Sequence, residues 1–498
     1  MNVNPITRLD YPDPDVIRVE DTYYMVSTTM HFMPGCEILQ SFDLVHWEHV
    51  TYVYETLDHT DAQQLKSGQN IYGQGMWAAS LRYHEGRFCI CFVANDTRKT
   101  YLYTSEKIDG PWKKQLIEGF YHDASLLFDE DGRNYIVYGN DEIWITELNE
   151  DLTAPKKDGL HRLLVSDHKN PELGYEGSHI QKINGYYYIF LIHSLRDRWM
   201  RTEACFYSDS LEGEFTGGDV LCDDRGYCGQ GVAQGGIVDT PDGKWYAMLF
   251  QDSGAVGRIP ILLPVTWKDH FPFFGQNGHV PEEIEVHSTR PGYIYQPLVG
   301  SDDFCNGLLP RWQFNHDPDP RYYHLDALQG TYTITTREVC TELTQAVNTL
   351  TQRMSYPSCA AEVTVDASAL KEGDVAGLCA LQGCYAAVGI TKHHGKYEVL
   401  MLDKKEDGIL DMTERTVVES HQMDFRLEAD FCNMKDEARC YYRVNKGDWL
   451  PIGTVHKLYF KLDHFTGCRF GLFCYAAEET GGSACFRDFK YYDVDEIS

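Results

Sequence analysis

The sequence predicts an all-β protein in two parts, a five-bladed β-propeller followed by a two-sheet β-sandwich. Three observations carry this. An aromatic strand signal recurs five times in the first 250 residues, helical periodicity is nearly absent, and beyond about residue 285 the β-rich texture continues without the repeat.

The repeated strands begin at Thr22 (TYYMV), Arg87 (RFCICF), Arg133 (RNYIVYG), Tyr186 (YYYIFL) and Lys244 (KWYAML), each behind a turn residue: Asp21, Gly86, Gly132, Gly185 and Gly243. The turn residues are 46 to 65 positions apart, which suits a four-stranded blade with loop insertions and exceeds most helical repeats. DG and NG turns between short β-rich runs are hairpin signals. The first strand of each blade lines the central channel, so matching positions on it converge on the axis. Nine residues before the four glycines stand Trp77, Asp123, Glu176 and Gln234, and eight before Asp21 stands Asp13. These five are expected to ring one end of the channel.

The propeller is expected to span 1–290, a linker 291–301 and the sandwich 302–498. In the last part the runs GTYTITT, CAAEVTVDAS, AAVGITK, KYEVLMLD, DFRLEADF, RCYYRV, RFGLFCYA and SACFRDFKYYDV alternate with polar turns, the pattern of two packed sheets.

At 498 residues the chain is long for one domain, and its 33 tyrosines and 43% hydrophobic content can fill two cores. A formal net charge of −31 argues against nucleic acid or an anionic membrane as partner. There is no basic segment followed by an apolar stretch at the N-terminus and no run long enough to span a bilayer, so a cytoplasmic protein is expected. Sixteen cysteines without a C-x2-C pair read as free thiols.

Three carboxylates at one end of a channel meet the needs of glycosidic bond cleavage. One acid must be protonated to release the leaving group and one ionised to act on water or the sugar, while a third nearby holds the first in its protonated form. A carboxyl separation of roughly 6.5–9.5 Å predicts inversion and roughly 5–5.5 Å retention. The same acids could instead hold a calcium ion. A phosphate-binding loop is missing.

Segments 11–35 (YPDPDVIRVEDTYYMVSTTMHFMPG), 76–88 (MWAASLRYHEGRF), 122–135 (HDASLLFDEDGRNY), 175–188 (YEGSHIQKINGYYY) and 233–267 resemble glycoside hydrolase family 43. NTLTQR (348–353) and GDVAGLCALQ (373–382) resemble the C-terminal sandwich of the β-xylosidase branch, so the resemblance covers essentially the full chain. It implies a concanavalin A-like, lectin-type jelly roll for the second domain and an exo-acting β-xylosidase or α-L-arabinofuranosidase working on short oligosaccharides by single-step inversion. Asp13 would be the general base, Glu176 the general acid and Asp123 the modulator of the acid. Trp77 would stack on the sugar, and Arg258 would reach it. Phe32, on the loop after the first aromatic strand, would wall the pocket, and Phe465, in the HFTG turn of the sandwich, would close it. Homo-oligomers are common in the family, and that assembly is left open.

The sequence departs from the family in places. Gln234 stands where many relatives have a histidine that helps hold an axial cation, often calcium. No cofactor is therefore expected to be required and no metal ligand is assigned, with an axial calcium as the alternative. Ala79 and Ala124 replace common prolines. Two other functions stay open: a retaining fructosidase-like enzyme, and a glycan-binding propeller without catalysis.

Overall fold

The computed structural model describes residues 3–412 and 414–493. The expected end of the second domain at Ser498 lies outside the described residues.

Five four-stranded antiparallel sheets follow one another, each built from contiguous sequence. Their first strands are Asp15–Val19, Met76–His84, Ser125–Phe128, Glu176–Ile183 and Val232–Asp239. Each packs on the next and the fifth packs on the first, so the ring closes. The repeated aromatic runs are the second strands, and their composition follows from their position. Side chains alternate between two faces, and in a blade both faces are covered. Tyr23 and Met25 pack toward the fifth blade, while Val26 packs toward the second. Phe88, Ile90 and Phe92 face the first blade; Cys89 and Cys91 face the third. Burying each such side chain is worth about 1.5–3 kcal/mol, so the repeat in the sequence records the contacts between blades.

The ring is closed by packing rather than by a shared strand. The N-terminal segment lies along the fifth blade, with Ile6 N–H donating to Pro260 O (2.8 Å) and Tyr11 N–H to Arg258 O (3.1 Å). The segment expected to be a linker, with Arg290 just before it, is fastened to the first blade. Arg290 pairs with Asp21 at 2.9 Å, Gln296 N–H donates to Glu48 at 3.0 Å, and Tyr293 OH also meets Glu48.

The second part is a sandwich of one nine-stranded and one seven-stranded sheet. Each of the eight runs singled out above falls, over its described residues, mainly on a strand of these sheets. Its edge is completed by the propeller. Phe32–Met33 pairs with Gln313–Asn315, so the loop of the first blade becomes a strand of the sandwich. Phe32 is therefore a seam residue, 1% exposed, with the Arg469 guanidinium 3.4 Å over its ring. It does not wall the pocket as expected, because backbone pairing across the seam turns its side chain into the sandwich core.

Polar groups also cross this seam. Asp10 accepts from Arg258 N–H and Gly467 N–H, both at 2.7 Å, which joins the fifth blade to the HFTG turn. Glu37 meets Arg353 at 2.8 Å and His49 at 3.0 Å. Burial alone would raise the Glu37 carboxyl, but Arg353 and His49 outweigh it and hold the group down at about 2. Among the described residues no helix is long and apolar enough to cross a membrane.

Candidate active site

Four backbone positions define the rim of the channel. Asp13, Asp123, Gly177 and Gln234 all adopt left-handed φ (52°, 46°, 63° and 60°), each two residues before regular pairing resumes at Asp15, Ser125, His179 and Gly236. In the second, fourth and fifth blades this step is a bulge, at Trp77–Ala78, Gly177–Ser178 and Gln234–Gly235. Bulges re-aim side chains at strand ends. The expected register is thus off by one in the fourth blade. Its left-handed residue is Gly177, which stands eight residues before the turn glycine Gly185 where Asp123 and Gln234 stand nine before theirs, so Glu176 lies one residue upstream of the equivalent position. Gly177 is required there, since a Cβ would lie 2.6 Å from Gln234 Cδ. Gln234 packs on the backbone beside Glu176, and its own N–H donates to buried Glu203 (2.7 Å). It is not among the residues that face the cavity.

The three carboxylates are handled differently. Asp13 is an acceptor at both oxygens: Arg258 Nη1 donates to Oδ1 at 2.8 Å and Thr28 Oγ1 to Oδ2 at 2.6 Å. Asp123 is buried, its Oδ1 has no partner among the described residues, and its Oδ2 lies 3.7 Å from His122 Nε2. Burial, helped by Glu176 and Asp13 and opposed by His122, pushes its carboxyl up to about 7. Ser178 Oγ lies 2.7 Å from the backbone oxygen of Asp123 and fixes it against the strand that carries Glu176. Glu176 faces the cavity, and its Oε2 receives Asn140 Nδ2 (2.7 Å) and lies 3.4 Å from His122 Nε2. Donor atoms of His122, Asp123 and Glu176 all fall within 4.8 Å of one another.

Glu176 and His122 open into a cavity of about 1020 Å³, lined with them on the propeller side by Trp77 and on the sandwich side by Tyr459, Phe460 and Phe465; Asp13, Asp123 and Arg258 lie behind its lining. Its size reaches the upper end of ligand pockets, room for more than one sugar. Phe465 lies 5.6 Å from the Trp77 ring, and Arg258 lies 4.2 Å over it. Both domains therefore build the site. Trp77 Nε1 and Arg258 Nε, both buried, have no partner among the described residues. Orphaned polar atoms are costly unless a ligand satisfies them, and Trp77 belongs to the cavity lining, where a hydroxyl could do so.

The Asp15 carboxylate on the first inner strand already has a cation beside it. Arg82 crosses the channel from the second blade, donating to Asp15 (2.7 Å), to Ser125 Oγ (2.7 Å) and to Leu126 O (2.9 Å). His179 adds a contact to Asp15 at 3.1 Å. The carboxylate at the axis is already neutralised by a guanidinium, and no step below uses a metal.

Sequence reasoning missed His122, Asn140 and Trp199. His122 was in view, directly before Asp123 in the HDAS segment. Asn140 ends a repeated strand and carried no signal. Trp199 lines the cavity from an irregular loop and is 46% exposed.

This is the architecture of a propeller glycoside hydrolase with a sandwich built into its active site. Residues 3–272 match the model of Glycosyl hydrolases family 43, and 301–492 match the Beta xylosidase C-terminal Concanavalin A-like domain. The chain belongs to glycoside hydrolase family 43. It is 27% identical to a beta-xylosidase of Formosa agariphila over 99% of this chain and 89% of that one. It is 23% identical to a xylosidase/arabinosidase of Butyrivibrio fibrisolvens over 99% of each. A bifunctional GH43-CE structure from Bacteroides eggerthii superimposes with a TM-score of 0.92 at 42% identity, covering 98% of this chain; the chain spans 63% of that one.

Proposed function

We propose that the protein removes terminal xylose from the non-reducing end of short xylo-oligosaccharides, with arabinofuranose as a second substrate, by single-step inversion. Asp13 takes a proton from the attacking water. Glu176 gives one to the departing oxygen. Asp123, close to Glu176, favours the protonated form of the acid before cleavage. The observation that carries this reading is the unequal treatment of three acids in one site. Asp13 is tied down as an acceptor at both oxygens, Asp123 is buried and pushed up to about 7, and Glu176 faces the cavity. Trp77 and Phe465, whose rings lie against each other, would offer the terminal sugar a shared apolar wall, and Arg258 would couple that sugar to the base. The sandwich wall supports an exo mode, because it closes one side of the cavity.

The names of the relatives support the substrate class. A panel of nitrophenyl β-xylosides and α-L-arabinofuranosides, with xylobiose, tests it. Release of xylose is expected, with a smaller rate on arabinofuranosides; no turnover of any pentoside would contradict the reading.

A further inference from the structure

No step above uses His122, yet it is an ionisable group set directly against the acid. Its Nε2 lies 3.4 Å from Glu176 Oε2 and 3.7 Å from Asp123 Oδ2, and its ring lies 5.8 Å from that of Trp77. The ring is mostly buried but touches the cavity. The same Glu176 oxygen also receives Asn140. With two donors on Oε2, the proton that Glu176 must deliver belongs on Oε1.

We propose that His122 is a positioning residue of the reaction: its Nε2–H holds Glu176 by Oε2, leaving Oε1 to carry the acid's proton, and its charge offsets the negative charge gathered by Asp123 and Glu176. The inference rests on the function proposed above. The charged groups facing His122 are Asp123, Glu176 and, further off, Asp13, all acidic. Burial disfavours an imidazolium, but these neighbours prevail and carry the ring up to about 9. When Glu176 passes its proton to the leaving oxygen, the new carboxylate forms beside a cation and an amide donor. That stabilisation exists only as the bond breaks, so it acts on kcat. His122 and Asp123 thus act on the acid in opposite senses, and the protons belong to the group rather than to one residue.

Two substitutions separate the parts. His122→Gln keeps a donor and removes the charge; His122→Phe keeps a ring and removes both. The measurements are pH profiles of kcat/KM on xylobiose and on nitrophenyl β-xyloside, with thermal midpoints to show that both variants fold. With His122→Gln the basic limb is expected to move to higher pH, since no cation competes for the shared proton. With His122→Phe, kcat on xylobiose is expected to fall about 10–100-fold, the worth of one hydrogen bond to a charged group. The nitrophenyl substrate, whose leaving group needs little protonation, should lose much less. Unmoved basic limbs and an unchanged ratio of the two substrates, alongside an inactive Glu176→Gln, would overturn this proposal alone. Full activity of Glu176→Gln would overturn the assignment of the acid and this proposal with it.

Discussion

Replacing Glu176 with glutamine is expected to lower kcat on xylobiose by roughly 10²–10⁴-fold, the usual contribution of general acid catalysis. The loss should depend on the leaving group. A sugar alkoxide departs only if protonated, whereas nitrophenolate departs almost unaided, so nitrophenyl β-xyloside should retain much more of its rate. Asp13→Asn should behave otherwise. Water must be activated whatever the leaving group, so both substrates should slow alike. The geometry separates these roles, because Asp13 lies under Arg258 and Thr28 while Glu176 faces the cavity beside Asn140. Glu176→Gln preserves shape at a position that is partly exposed, so folding should survive. Turnover of xylobiose by Glu176→Gln at the wild-type rate would remove Glu176 as the acid.

The second large effect concerns stability. Glu37 belongs to the first blade and Arg353 to the sandwich, and both are buried. They meet at 2.8 Å, and their opposite charges hold them. Glu37→Gln leaves the guanidinium buried and uncompensated, which is expected to cost about 3–5 kcal/mol. The pH dependence has a definite sign. The folded-state value of Glu37, about 2, is below its ordinary 4.5. Its contribution is therefore complete above pH 4.5 and is lost as pH falls toward 2. Urea midpoints measured across that window should fall for the wild type more steeply than for Glu37→Gln, and the variant should be weaker at pH 7. Equal midpoints at pH 7 would show that the pair does not fasten the domains.

What was legible in the sequence was what repeats. The second strands of the blades are aromatic because both faces are buried, and that period of two survives in TYYMV and YYYIFL. The sandwich strands were legible for the same reason. The strand Phe32–Met33 was not, because two residues have no period and their partner lies some 280 positions away. The channel register brought Asp13 and Asp123 to equivalent left-handed positions, but it reached Glu176 by a count of nine where the left-handed Gly177 stands eight before its turn glycine. The family resemblance, through EGSH, pointed to that residue independently. His122 and Trp199 escaped because their roles depend on which loops meet across the cavity, and that is set by the ring and the sandwich together.

The central claim is a single displacement with Asp13 as base and Glu176 as acid. The most direct test is proton NMR of the xylose released from nitrophenyl β-xyloside, recorded before mutarotation. Inversion predicts that α-xylose appears first and β-xylose grows in later; β-xylose appearing first would mean a covalent intermediate and would contradict the account.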